Sequence, residues 1–300
     1  NFYRYAHEID QYTQRHYQSM MTWSLSPKWS FTQTLAVVTG KGYFEQYRDF
    51  MSFASLGLPN MPLGQVVLTG TEGVRRRWLD NGSFMAATSI QYRGENLRFA
   101  AGMQDQIYDG MHFGTLPWLR YNPMGGLDGS QTVDSLTLPT NSALDHRFYE
   151  GSSLKYDESY FARAEWTRGK WTALADAQLR RIEYASSGTD VDQHAYDFDV
   201  NYLFFNPKAG LSFADNGWTG RASVALANRE PIRSDFIDNA VAPNPERLTD
   251  VELGVEKRGA KFWAEANVYL MEYADQLVPT GALNDVGALI RTNVDRSHRR

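Results

Sequence analysis

The chain has 300 residues, 22% of them charged, and a formal net charge of -5. Mean hydropathy is -0.49, and no run approaches the roughly 18 apolar residues of a spanning helix, which excludes a helical membrane protein. It does not exclude a β-barrel, whose strands show lipid only every second side chain. Cysteine is absent, which excludes disulfides, thiolate metal sites and a cysteine nucleophile. The negative charge argues against nucleic acid as a partner. Aromatics reach 14%, and these residues concentrate in strands and at membrane interfaces.

Period-two alternation runs along the chain and predicts an all-β, antiparallel fold. Eleven strands are expected, at 2–24, 29–48, 74–93, 97–114, 147–167, 171–187, 194–213, 218–229, 248–257, 261–278 and 289–300. In the third, Phe84, Ala86, Thr88, Ile90 and Tyr92 alternate with Met85, Ser89 and Gln91. In the sixth, Trp171, Ala173, Ala175, Ala177 and Leu179 alternate with Thr172, Asp176 and Gln178, Leu174 being the exception. The eighth sets Trp218, Ala222, Val224 and Leu226 against Thr219, Arg221 and Ser223. The ninth sets Val251, Leu253 and Val255 against Asp250, Glu252 and Gly254. In the tenth, Phe262, Ala264, Ala266, Val268 and Leu270 oppose Trp263, Glu265, Asn267 and Tyr269. A soluble sandwich would also alternate, so the connections must decide.

Short turns at Leu25–Lys28, Gly94–Asn96, Arg168–Lys170, Ala214–Gly217 and Arg258–Ala260 alternate with irregular stretches at 49–73, 115–146, 230–247 and 279–288, and with a shorter one near 187–193. Tight turns at one end and long loops at the other are the asymmetry of an outer-membrane barrel. Aromatics mark the tight turns: Trp23 and Trp29, Tyr92 and Phe99, Trp166 and Trp171, Phe213 and Trp218, then Phe262. Such repetition is the pattern of an interfacial girdle facing outer-membrane lipid. Eleven strands leave two unpaired edges, so the chain is read as about half of a transmembrane barrel of roughly 22 strands, the class with a plugged lumen. With no initiator Met and an end at Arg299-Arg300 directly after a strand, it reads as a fragment.

The stretches Tyr202–Leu211 (YLFFNPKAGL), Ala227–Phe236 (ANREPIRSDF), Asn244–Gly254 (NPERLTDVELG) and Leu283–Asn293 (LNDVGALIRTN) resemble the barrel of TonB-dependent receptors, especially the type common in Bacteroidetes. Thr39–Arg48 (TGKGYFEQYR) is similar to an earlier barrel strand of that family. The resemblance implies an active importer of a scarce, bulky solute. Ferric siderophores come first, with haem, cobalamin and glycans as variants. It also implies a plug domain and a TonB box, through which the TonB complex supplies energy, and further barrel strands. None of these lies in the 300 residues. The alternatives are a passive porin-like channel and a soluble β-rich binding protein.

Ten polar residues are expected to face the lumen and a plug: Arg163, Glu165, Asp176, Gln178, Arg180, Arg221, Arg229, Glu252, Glu265 and Asn267. Asn228, Arg229 and Glu230 end a strand at the outer side, where plug or ligand contacts are both open; reversing the charge at Arg229 in the intact protein is expected to impair uptake. Arg75, Arg76 and Arg77 stand where the loop 49–73 re-enters a strand. They read either as a cationic site for anionic chelates or as a solvated cluster. Met111 and His112 could meet a metal chelate, although an exposed loop histidine is the more ordinary reading. Trp118 and Tyr121 lie in the long loop 115–146 and could cover a ligand. No catalytic constellation is present. The six histidines (His7, His16, His112, His146, His194 and His298) lack zinc-hydrolase spacing, and Tyr184–Gly188 lacks the nucleophile elbow. Gly40-x-Gly42 has no helix after it, so it is no phosphate loop. No enzyme activity, metal or cofactor is expected.

Overall fold

The computed structural model describes residues 8–63, 65–123, 146–239, 241–284 and 289–300. All eleven expected strands form one antiparallel sheet in strictly sequential order, each strand pairing with its chain neighbours. They are β1 (Ile9–Ser24), β2 (Trp29–Ser52), β5 (Gly70–Arg93), β6 (Leu97–Leu119), β7 (Arg147–Arg168), β8 (Trp171–Thr189), β9 (Ala195–Asp215), β10 (Trp218–Arg229), β11 (Glu246–Arg258), β12 (Trp263–Leu283) and β13 (Leu289–Arg299). A separate hairpin, β3 (Met61–Leu63) with β4 (Val66–Leu68), lies between β2 and β5. The part of the first expected strand at residues 2–7, His7, most of the loop 115–146 (124–145) and residues 285–288 of the family-like stretch lie outside the described residues.

Several strands run past their expected ends at the loop side. β2 continues to Ser52, β6 to Leu119 and β12 to Leu283, while β5 begins at Gly70. Alternation fades there, because both faces of the extensions meet polar or packed surroundings. The backbone ladder continues without it. The turn side matches closely. Asn216 (φ 47°) and Gly217 (φ 76°) form a two-residue turn with both residues left-handed, the geometry that suits the twist of a hairpin and favours Asn-Gly.

Directly paired residues in an antiparallel ladder share a face, so the register sorts every strand. Trp171, Ala173, Ala175, Ala177 and Leu179 pair with Phe213, Leu211, Ala209, Pro207 and Phe205. Val224 pairs with Ala209 and with Val251, and Val251 with Leu270. The girdle residues fall on this apolar face and pack across strands. Ring centroids are 5.4 Å apart for Trp23–Phe31, 4.9 Å for Trp29–Tyr92 and 4.7 Å for Trp171–Phe213. Moving away from the turns, the same face stays largely apolar until charge appears at Arg15, Lys41, Asp80, Asp105, Glu158, Arg181, Arg247 and Glu272. These positions lie about eight to thirteen residues above their turns, which on tilted strands is consistent with the roughly 25 Å apolar band of an outer-membrane barrel.

The sheet has almost no interior of its own. Large apolar side chains such as Leu203 (68% exposed) and Val268 (68%) stand open on the band. The main buried cluster lies beyond the band, at the loop end. Met51, Phe53, Leu56, Leu58, Met61, Leu116, Leu119 and Phe148 pack together, joined by Leu68, Tyr121, Tyr149 and Val191. The stretch 49–73 is therefore folded rather than irregular: a 3-10 turn at Ala54–Leu56 and the β3–β4 hairpin cover the tops of β6 and β7. His146 Nε2 meets the Leu56 carbonyl at 2.6 Å, and Gln193 donates to the carbonyls of Ser55 (3.2 Å) and Phe148. Three connections are thereby tied into one cap.

Candidate functional site

The face opposite the apolar band is polar, and the register places all ten expected residues on it. Arg163 pairs with Asp176, which pairs with Lys208; Lys208 pairs with Ala225, and Ala225 with Asp250. Arg221, Arg229, Glu252, Glu265 and Asn267 share this side of their strands. Most are already engaged with neighbours on the same face. Glu165 accepts from Arg98 at 3.3 Å. Gln178 donates to Ser159 (2.8 Å) and accepts from Asn206 (3.0 Å). Arg221 reaches Glu256 at 2.8 Å and Glu265 at 3.4 Å, and Asn267 donates to Glu265 at 3.1 Å. Arg229 pairs with Glu246 at 3.1 Å. This is a pre-formed hydrogen-bonding surface in which opposite charges alternate across strands.

Its most ordered part lies at the loop end. The connection from β10 to β11 folds back across the polar face as a strap. At its start Glu230 accepts from Lys155 (2.8 Å) and from both Nη atoms of Arg180 (2.9 Å), while Arg180 also donates to Asp157 from Nε (2.9 Å) and Nη2 (2.5 Å). Burial opposes the ionisation of Glu230. The Lys155 hydrogen bond, a backbone amide and the Arg180 charge outweigh it and hold its carboxyl below the ordinary range.

A short helix, α1 (Arg233–Ile237), follows. Phe236 stacks on Phe198 at 4.3 Å, and Arg233 Nη2 donates to the Tyr196 hydroxyl at 2.5 Å. Asp235 is buried. It accepts from Arg291 Nε (3.0 Å) and Nη2 (2.5 Å) and from the Ile232 amide (2.8 Å). Asn239 donates to the Arg291 carbonyl at 2.8 Å, and the Asn244 amide to Asn293 at 2.8 Å. The strap thus reaches from β7 to β13.

Two expected clusters are split by the pleat. Arg75, Arg76 and Arg77 lie inside β5, so successive side chains leave opposite faces. Arg76 sits on the apolar side with Glu45 (2.6 Å) and over the Tyr43 ring (4.4 Å). Arg75 donates to Gln46 on the polar side at 3.1 Å, and Arg77 pairs in register with Phe44 and Gly114. A single three-arginine site does not form. In the same way Met111 shares the side of Asp80 and Ser152, where Arg147 reaches its sulfur at 3.4 Å, while His112 shares the side of Leu79 and Gly151. His112 lies within β6 rather than in a loop. Trp118 is also in β6, opposite Val74, and Tyr121 packs on the buried cap with its amide bonded to Thr71 (2.9 Å). Tyr121 is thus a structural part of the cap.

Sequence reasoning missed the strap. Its signal was the stretch Asn228-Arg-Glu-Pro-Ile-Arg-Ser-Asp-Phe236, read as a family likeness and, at Asn228–Glu230, as a place for plug or ligand contacts, whose charged residues find partners up to three strands from β10. Among the described residues no cluster of His, Asp and Glu could hold a metal ion.

An antiparallel sheet with a band-high apolar face, an aromatic girdle at its turns and an ion-paired polar face has the architecture of a transmembrane β-barrel wall. The sequence matches the family described as "TonB dependent receptor-like, beta-barrel" over residues 1–300, and the chain belongs to that family of outer-membrane proteins. Solved structures agree on the fold. The copper transporter OprC superposes with a TM-score of 0.64 at 12% identity, over 95% of this chain and 42% of that one. The closed form of the ferric-catecholate import receptor Fiu from E. coli K12 gives 0.58 at 10% identity, over 97% and 44%. The siderophore receptor PiuA from Acinetobacter baumannii gives 0.54 at 14% identity, over 96% and 43%. The chain spans less than half the length of each of these structures. No curated protein matches the sequence.

Proposed function

We propose that this chain is one side of the barrel of a TonB-dependent importer that takes up a ferric siderophore or a similar iron chelate. The carrying observation is the polar face with its strap, a pre-formed set of paired charges at the loop end of a sheet whose other face suits lipid. A wall of this kind lines a lumen. β1 and β13 end the sheet with free edges among the described residues, and bare edges in a bilayer are untenable. Further strands, to a total of roughly 22, close the barrel in this reading. The rest of the protein supplies a plug and a TonB box, and the ten polar residues hydrogen-bond that plug. Support for the cargo comes from the fold neighbours named for ferric catecholate and siderophore import. The copper transporter among them keeps another bulky nutrient or metal complex as the alternative cargo.

The test is growth on iron supplied as defined siderophores, in cells carrying the full-length protein as their sole candidate receptor. Rescue by at least one chelate, lost when TonB is deleted, supports the reading. Rescue that survives TonB deletion turns it into a passive channel, and absence of rescue by every iron chelate removes the cargo assignment.

A further inference from the structure

Arg233 differs from the paired cations around the strap. Lys155, Arg180, Arg221, Arg229 and Arg291 each hold a carboxylate. Arg233 holds none. Its one hydrogen bond, from Nη2, goes to the Tyr196 hydroxyl, over whose ring its guanidinium carbon lies at 5.1 Å. Its Nε is buried without an acceptor. A buried guanidinium donor with no partner forfeits a charge-assisted hydrogen bond and keeps its desolvation cost.

Arg233 is electrostatically coupled to Tyr108, His112 and Tyr184. Gly151 lies beneath it, and a Cβ there would come within 3.3 Å of Arg233 Nη2 and 1.8 Å of the Tyr196 hydroxyl. Asp238, five residues on, accepts from Asn284 at 3.0 Å, and other acids of the strap and the adjacent strands are committed elsewhere. Asp235 binds Arg291, Glu230 binds Lys155 and Arg180, Glu150 binds Arg147, and Asp109 pairs with Leu154 on the apolar side. A cation fixed by a folded strap against the Tyr196 ring, with no ion-pair partner among the described residues, is suited to an anion.

We propose that Arg233, with the hydroxyls of Tyr196, Tyr184 and Tyr108 and with His112, forms an oxyanion-binding site on the polar face for a carboxylate or phosphate group of an incoming ligand. The site supplies the negative partner's missing half: the guanidinium takes the anionic oxygens and the phenols donate to them. Lipid headgroups are not its ligand, since they lie against the opposite face. The inference rests on the proposed lumen only for calling that ligand cargo; the anion site itself is a property of the folded protein.

The experiment is isothermal titration of the purified full-length protein in detergent with citrate and with inorganic phosphate at low salt. Wild type is expected to bind at least one of the two, with R233Q weaker by about tenfold, the loss of one charge-assisted contact. R233K is expected to fall between them, because a point charge replaces a fork. Heat-modifiable gel mobility checks that each variant folds, and strap integrity is read from unchanged protease resistance. No binding by wild type, or equal binding by folded R233Q, overturns the site. Iron-chelate growth tests remain separate: their failure alongside R233-dependent anion binding would remove the proposed cargo and leave the site standing.

Discussion

The turn end and the loop end of the same sheet are stabilised by opposite means. At the turn end, connections are two to a few residues long, and the large side chains point away from the protein: Trp171 is 47% exposed and Trp218 53%. Tryptophan and tyrosine at such positions gain from the membrane interface, where the ring is shielded and the polar atom stays wet. At the loop end, the chain buries its own apolar groups, with Phe53 and Leu119 fully inaccessible, and crosses the polar face with a strap fixed by buried charge. The difference teaches that only half of this architecture depends on lipid. The loop end is organised like a small soluble protein, held by packing and by hydrogen bonds.

The largest effect expected on that contrast comes from the cap. Phe53→Ala in the full-length protein removes a fully buried ring and costs the cap about 3–5 kcal/mol. Hydrogen exchange should rise sharply over residues 49–73 and stay unchanged in the band strands. Equal loosening at both ends would erase the distinction. Next, Asp235→Ala leaves Arg291 without its buried partner, a penalty of about 3 kcal/mol. The strap should then become a protease site near residues 230–239 while heat-modifiable mobility persists; a resistant strap contradicts its dependence on that pair.

At the band, Ala175→Arg should cost about 2–3 kcal/mol in lipid vesicles, whereas Leu174→Arg, one residue away on the polar face, should cost far less. Denaturant unfolding of the two variants side by side reads the difference, and equal losses would break the assignment of faces. The smallest effect is acid sensitivity of the strap. The Glu230 carboxyl lies below its ordinary value of 4.5 in the folded protein, so its stabilising contribution is complete above that value. It is lost as pH falls through the lower folded value. Limited proteolysis should find the strap intact at neutral pH and more open once the pH falls well below the ordinary carboxylate range, with Glu230→Gln removing the pH dependence.

Much of this was legible in the chain, and the reasons are local. Alternation over Trp171–Leu179 or Ala264–Leu270 is forced by a bilayer on one side and water on the other, so the faces and the strand count could be read directly. The ten polar residues followed from the same parity. What could not be read depends on contacts between distant segments. Nothing in residues 53–69 announces that Leu116, Leu119 and Phe148 will pack on them. Nothing in the order Arg233-Ser-Asp235 reveals Tyr196 and Arg291 as partners. Three consecutive arginines suggested a single site because they stand at a strand entrance beside a long loop; the pleat of β5, already running from Gly70, divides them between faces.

The central claim, a wall with one face in lipid and one in water, is tested most directly by the chain's lack of cysteine. Single-cysteine variants of the full-length protein at each position from 171 to 180 can be probed in intact outer membranes with a water-soluble thiol reagent. The account predicts period-two labelling: 172, 174, 176 and 178 react, while 173, 175, 177 and 179 stay protected. Uniform labelling, or protection at the even positions, would contradict it.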